Sequence, residues 1–184
     1  PVVEREASGR RDPTSRGFRS RLGRRVTVGF AVMATASAGL LVHRVGPDGV
    51  EVLLVHPGGP LWARKDAGAW SIPKGEYVEG DDAETTARRE FEEELGLTVP
   101  EGTLHPLGEI RQAGGKRVTA FAIEADVDVS VINSNAFEME WPPRSGNRQE
   151  FPEVDRAEWF ALDEARVRIN TGQVPFLDRL AASE

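Results

Sequence analysis

The sequence predicts an α+β fold, a mixed β-sheet packed by helices, and three observations carry that prediction. Two short runs of branched apolar residues, 37–45 and 50–57, are joined by Gly46-Pro47-Asp48-Gly49, a hairpin signal. Ala83, Ala87, Phe91 and Leu95 recur every four residues, the mark of a helix with one buried stripe. Further strand-like runs follow that helix, so the elements read β-β-α-β-β-β-α-α in chain order.

The chain opens with a basic arm, residues 1–32, ahead of a domain spanning 33–184. Residues 1–30 hold eight arginines against Glu4, Glu6 and Asp12, a net of +5, with almost no periodic apolar residues, so a flexible arm is expected. Such an arm is either a disordered tail or translated sequence upstream of the true start, since Met33 directly precedes the first clear strand. Arg24-Arg25, the apolar run behind them and Ala36-Ser37-Ala38 have the outline of an export signal. That run continues without a break into a strand the fold needs, which argues against export.

After the first hairpin comes a Gly- and Pro-containing loop, 57–75. A helix is predicted over 82–95, with Asp81 or Asp82 as its cap, Glu84 three residues after Asp81 in capping-box fashion, and Gly96 as its end. Strands 104–112 and 116–127 flank another hairpin signature, Ala113-Gly114-Gly115-Lys116. A polar, aromatic loop over 135–155 leads to a short strand at 157–162 and a helix at 162–169. Thr171 caps a last helix with Pro175 in its first turn and Phe176, Leu177 and Leu180 on its inner face. No internal repeat is present.

Composition narrows the function classes. With 184 residues, one ordinary domain with a real core is expected, and 39% hydrophobic with 29% charged residues suits a soluble globular protein. No apolar run approaches the roughly 18 to 20 residues of a membrane helix. The chain has no cysteine, which excludes disulfides, zinc–thiolate sites, thiol nucleophiles and iron–sulfur clusters. A cysteine-free chain fits a reducing interior, and a cytoplasmic location is expected. Beyond residue 30 the chain has 15 basic and 27 acidic residues, a net of −12. Such an acidic body repels a phosphate backbone, so nucleic acid is not an expected partner. It suits a protein that binds anions by way of divalent metal.

Residues 89–96 read Arg-Glu-Phe-Glu-Glu-Glu-Leu-Gly. At 100° per residue, Glu90, Glu93 and Glu94 share an arc of roughly 100° beside the apolar stripe. Like charges three and four residues apart cost a helix roughly 0.2 to 0.5 kcal/mol per pair. A solvated face usually spreads such groups, whereas a hard divalent cation asks for oxygen ligands at this density. Immediately upstream, Trp70-Ser71-Ile72-Pro73-Lys74-Gly75 supplies an aromatic, a rigid proline, a lysine and a glycine that can hold a phosphate chain.

These residues resemble the box of the Nudix hydrolase family, G-x5-E-x7-R-E-U-x-E-E-x-G-U with U bulky and apolar. Gly75, Arg89, Glu90, Phe91, Glu93, Glu94, Gly96 and Leu97 stand in register, and Asp81 replaces the usual glutamate. The resemblance extends at fold level over 37–181 and implies a Nudix-type α/β/α sandwich with a central mixed sheet. It also implies Mg²⁺, with Mn²⁺ able to replace it. Gly75 would offer its carbonyl, Glu93 and Glu94 would be principal ligands, and Glu90 a further ligand or the general base. Arg89 would hold Glu90. The family usually draws another acidic ligand from shortly before a late strand; Glu153, six residues before Trp159, is the choice, with Glu150 in reserve.

The expected activity is pyrophosphohydrolysis of a nucleoside diphosphate linked to a further group, with a nucleotide as small-molecule partner and no membrane partner. A homo-oligomer is compatible with the sequence. The segment before the box also resembles dinucleoside polyphosphate hydrolases, diphosphoinositol polyphosphate hydrolases and decapping relatives. That points to substrates such as diadenosine tetraphosphate, and against it stands the sole tyrosine, Tyr77, inside the box instead of beyond it. Lys74, Arg64 and Lys65 can contact phosphates. Trp62, Trp70 and Trp141 lie in loops, where an aromatic face can stack on a purine or pack the loop, and Trp70 and Trp141 are taken as substrate-binding. His43, His56 and His105 read as structural. Alternatives are housecleaning of (deoxy)nucleoside triphosphates, a catalytically silent nucleotide-binding module, or an enzyme tethered to nucleic acid by its arm.

Overall fold

The computed structural model describes residues 36–78 and 80–183. The basic arm and the alternatives for its origin lie outside them. A long first strand, β1 (Ala36–Gly46), turns into β2 (Gly49–Pro57), with Gly46 opposite Gly49. Only the second half of β1 pairs with β2; its first half, Ala36 to Gly39, pairs antiparallel with β3 (Lys74–Tyr77). The expected loop at 57–75 thus runs into a short strand that places Lys74 and Gly75 against the sheet. Helix α1 (Ala83–Leu95) follows, then β4 (His105–Arg111) and β5 (Arg117–Glu124). Next come β6 (Ala136–Glu140), β7 (Arg148–Pro152), β8 (Val154–Ala161), α2 (Leu162–Arg168) and α3 (Val174–Ala181).

The main sheet has the order β4-β5-β1-β2-β8, with β3 beside β1. β1 and β5 run parallel and the other pairs antiparallel, so the sheet is mixed, as expected. β1 reads as a continuous apolar run because it is buried on both faces. Leu40 and Val42 pack with Phe91 and Leu95 of α1. Leu41 packs on the opposite face with Phe160, Ile169, Phe176, Leu177 and Leu180, under α2 and α3. The result is the α/β/α sandwich. Phe91 is fully buried, and truncating a core phenylalanine to alanine costs about 3–5 kcal/mol.

The ends of α1 are fixed locally. Of the two candidate caps Asp82 is used: its backbone is extended, and its Oδ2 accepts the Thr85 N–H at 2.8 Å. Asp81 instead accepts the Val78 N–H at 3.3 Å and closes the preceding turn. Gly96 adopts φ 66° at the other end, where its N–H donates to Glu92 O at 2.8 Å. A β-carbon there would also meet the Asn133 carbonyl oxygen at 2.5 Å.

Two expectations need correction. The expected loop at 135–155 holds a separate two-stranded sheet, β6 with β7, with Phe137 opposite Phe151. Phe137 and Met139 alternate with Glu138 and Glu140, a period of two that two flanking prolines and a glycine obscure. At the last helix, Asn170 rather than Thr171 caps: its Oδ1 accepts the Gly172 N–H at 2.9 Å and opens a 3₁₀ turn into α3. No helix among the described residues is long and apolar enough to cross a membrane.

Candidate active site

The carboxylates of α1 meet β3 at one place. Glu90 lies over the backbone of Gly75 so closely that a β-carbon at position 75 would sit 1.8 Å from its Oε2. One turn on, Glu94 Oε2 accepts the Lys74 N–H at 3.1 Å. Arg89 reaches two carboxylates with separate nitrogens: Nη2 lies 2.5 Å from Glu90 Oε1, and Nη1 lies 2.6 Å from Glu93 Oε2. Glu90 is the sheltered partner, its side chain 13% exposed against 43% for Glu93. Glu92 points elsewhere, its Oε1 accepting the Val99 N–H at 3.4 Å.

Backbone hydrogen bonds link Glu153, far along the chain, to the end of α1. It stands just ahead of β8, and its backbone is tied on both sides: its N–H donates to Asn135 O at 2.8 Å, and its carbonyl accepts the Gly58 N–H at 2.9 Å. Asn135 N–H in turn meets Glu93 O at 3.4 Å, and Asn133 N–H meets Leu95 O at 2.9 Å. The segment 133–135 therefore stitches the end of α1 to the residue before β8. No sequence pattern announced that link, because it runs entirely through backbone groups. Glu150, the reserve ligand, sits in β7 opposite Glu138 of the hairpin.

Electrostatics unites these groups. Burial pushes the Glu94 carboxyl up to about 7; the charge and N–H of Lys74 oppose that shift, and the charges of Glu90 and Glu153 add to it. Burial likewise raises Glu90, with Arg89 opposing and Glu93 and Glu153 adding. Glu153 thus acts on both half-buried carboxyls. Burial lowers the Lys74 ammonium below its ordinary value while Glu94 pulls it back up, so this half-buried lysine belongs to the same cluster.

Among the described residues no three acidic or histidine side chains converge on a finished ion cage, and Arg89 holds Glu90 and Glu93 instead. The expected donor set is nevertheless oxygen throughout, from carboxylates and the Gly75 carbonyl, and the charge of Glu153 raises the proton affinity of both Glu90 and Glu94. That chemistry fits a hard divalent cation.

The expected substrate residues divide. Arg64 and Lys65 are exposed on the loop between β2 and β3, with Lys65 Nζ 4.3 Å from the centre of the Trp62 ring. Trp141 is half-buried directly after β6. Trp70 requires correction. It is fully buried, its Nε1 donates to Asp66 Oδ1 at 2.8 Å, and its ring packs edge-on against His56 at 5.2 Å and Phe160 at 4.9 Å. It has no face to offer a base.

Comparison with known proteins places these features in context. A NUDIX domain family model matches residues 24–180. An RNA pyrophosphohydrolase of Caulobacter vibrioides is 44% identical over 66 residues, 33% of this chain and 38% of that protein. An oxidized purine nucleoside triphosphate hydrolase of Danio rerio is 34% identical over 117 residues, 61% of this chain and 64% of that protein. The chain therefore spans between 38% and 64% of these curated relatives. The crystal structure of a C. elegans Ap4A hydrolase binary complex aligns over 81% of this chain and 96% of its own. The TM-score is 0.54 at 22% identity, a likeness of fold.

Proposed function

The chain belongs to the NUDIX domain family, and from that premise we propose that residues 33–184 are a Mg²⁺-dependent pyrophosphohydrolase cleaving a phosphoanhydride in a nucleoside diphosphate linked to a further group. Dinucleoside polyphosphates such as diadenosine tetraphosphate are the favoured substrates. The observation that carries this reading is the seating of α1 on β3, with Glu90 against the Gly75 backbone and Glu94 accepting the Lys74 N–H; the charge of Glu153 is felt by both carboxyls. Gly75, Glu90, Glu93, Glu94 and Glu153 are the groups that would hold the cation. When bound, Mg²⁺ or Mn²⁺ would neutralise the diphosphate and lower the pKa of coordinated water.

The chain's own residues do the rest. Arg89 and the backbone of Gly75 keep Glu90 in one orientation. Burial raises the proton affinity of Glu90, which suits a general base. In hydrolysis the water oxygen bonds to phosphorus, its proton passes to Glu90, and the anhydride bond breaks with its electron pair leaving on the departing phosphate. Lys74, Arg64 and Lys65 supply cationic contacts for the phosphate chain, and Trp141 a ring for a base. A cysteine-free chain suits a reducing compartment, and cytoplasmic action is part of this reading.

A second reading, hydrolysis of nucleoside triphosphates, is favoured by the 117-residue likeness to the Danio rerio hydrolase. A panel of purified nucleotides with Mg²⁺ decides between them. Diadenosine tetraphosphate should exceed every nucleoside triphosphate by about tenfold or more in kcat/KM, a difference of about 1.4 kcal/mol in transition-state binding. A triphosphate in first place selects the second reading. Nucleotide binding without any Mg²⁺-dependent hydrolysis would make the domain a silent binding module.

A further inference from the structure

His56 lies fully buried at the end of β2, and its imidazole joins two segments distant in sequence. Nε2 lies 2.8 Å from the carbonyl oxygen of Lys65, and Nδ1 lies 2.7 Å from Asp155 Oδ1. A carbonyl oxygen only accepts, so Nε2 carries a hydrogen and donates it to Lys65. On the other side, Asp155 sits in β8 two residues after Glu153.

The loop that follows β2 is tied to the rest of the fold along its length. At its start Gly58 N–H donates to the Glu153 carbonyl, and a β-carbon on Gly58 would run into the Pro152 carbonyl oxygen at 2.0 Å. At its far end Asp66 accepts from Trp70 Nε1 and from Arg168. Between them, the exposed stretch bearing Arg64 and Lys65 is held among the described residues by the His56 side chain, through the Lys65 carbonyl. Lys65 itself is exposed, so this bond sets where a cationic side chain stands relative to the strand that follows Glu153.

We propose that His56 is a positioning residue for polyphosphate binding: it fixes the Lys65 backbone to Asp155 and so holds Arg64 and Lys65 in register with the carboxylate cluster. This rests on the pyrophosphohydrolase reading for its purpose, though not for its geometry. His56 touches no substrate and acts through Lys65.

Two variants separate positioning from packing. Glutamine at position 56 reaches the place of Nε2 and keeps the bond to Lys65, whereas asparagine reaches only the place of Nδ1 and loses it. His56→Asn should raise KM for a dinucleoside polyphosphate about tenfold, with kcat and the half-saturating Mg²⁺ concentration within about twofold of wild type, while His56→Gln stays near wild type. Equal KM values for the two variants would overturn the proposal. Hydrogen exchange on the metal-free protein reads the clamp independently. The Ala63 and Lys65 amides should exchange faster in His56→Asn than in His56→Gln, with α1 unchanged, and identical loop exchange would again overturn it. If the wild-type protein hydrolyses no diphosphate, the functional reading fails and this exchange comparison still decides the clamp. In wild-type protein, NMR of the imidazole nitrogens should show Nε2 protonated, and an unprotonated Nε2 sinks the proposal whatever the variants do.

Discussion

Glu90 occupies the space that any side chain at Gly75 would need: a β-carbon there would lie 1.8 Å from Glu90 Oε2 and 1.9 Å from its Cδ. The glycine is required by close approach, because β3 must run directly beneath the carboxylate. Gly75→Ala should expel Glu90 from its seat and lower turnover by about 100-fold through misplacement, with near-wild-type circular dichroism. Wild-type turnover in that variant would show that the seat of Glu90 does not matter to the chemistry.

Glu94 predicts how metal binding follows pH. Its carboxyl is pushed from 4.5 up to about 7 by burial, so folding without a cation raises its proton affinity. An acid raised in this way favours the folded state when protonated; its contribution is lost as pH climbs from about 4.5 through about 7 in Mg²⁺-free buffer. Mg²⁺ requires the ionised carboxylate and competes with that proton. The half-saturating Mg²⁺ concentration, read by thermal shift, should therefore fall as pH rises towards about 7 and level off above it, and Glu94→Gln should flatten the profile. A slope that survives in Glu94→Gln assigns the competing proton to another group.

The two tryptophans taken as substrate contacts should part company. Trp70→Phe removes a buried ring edge and leaves Asp66 without its indole N–H, so unfolding free energy should drop by about 2 kcal/mol. KM should not move. Trp141→Ala, at a half-buried position beside the hairpin turn, should raise KM with little change in melting temperature. Substrate kinetics and chemical denaturation on the two variants measure the split, and a raised KM in Trp70→Phe would contradict it.

Legibility in the sequence followed the range of the interactions. Ala87, Phe91 and Leu95 repeat at helical period and are buried as that period demands, because a helix face is a local property. The grouping of Glu90, Glu93 and Glu94 was readable for the same reason. The β6–β7 hairpin was missed because its alternation is short and its turn carries two prolines and a glycine. Trp70 looked like a loop aromatic, yet what buries it lies far along the chain: Phe160 beside its ring and Ile169 in a parallel bridge. His56 read as structural, but its partners Lys65 and Asp155 lie 9 and 99 residues away, so only the fold shows what it joins.

The central claim is that the carboxylate face of α1 holds a divalent cation for phosphoanhydride hydrolysis. Glu93 is the cleanest place to test it, since its side chain is 43% exposed and Arg89 keeps its hold on Glu90 when Glu93 is neutralised. The deciding measurement is Mg²⁺-dependent kcat/KM of Glu93→Gln with the best substrate of the panel, alongside a melting curve. A loss of about 1,000-fold or more, some 4 kcal/mol of transition-state stabilisation, with the melting temperature retained, is the predicted result. Turnover equal to wild type in that folded variant would contradict the account.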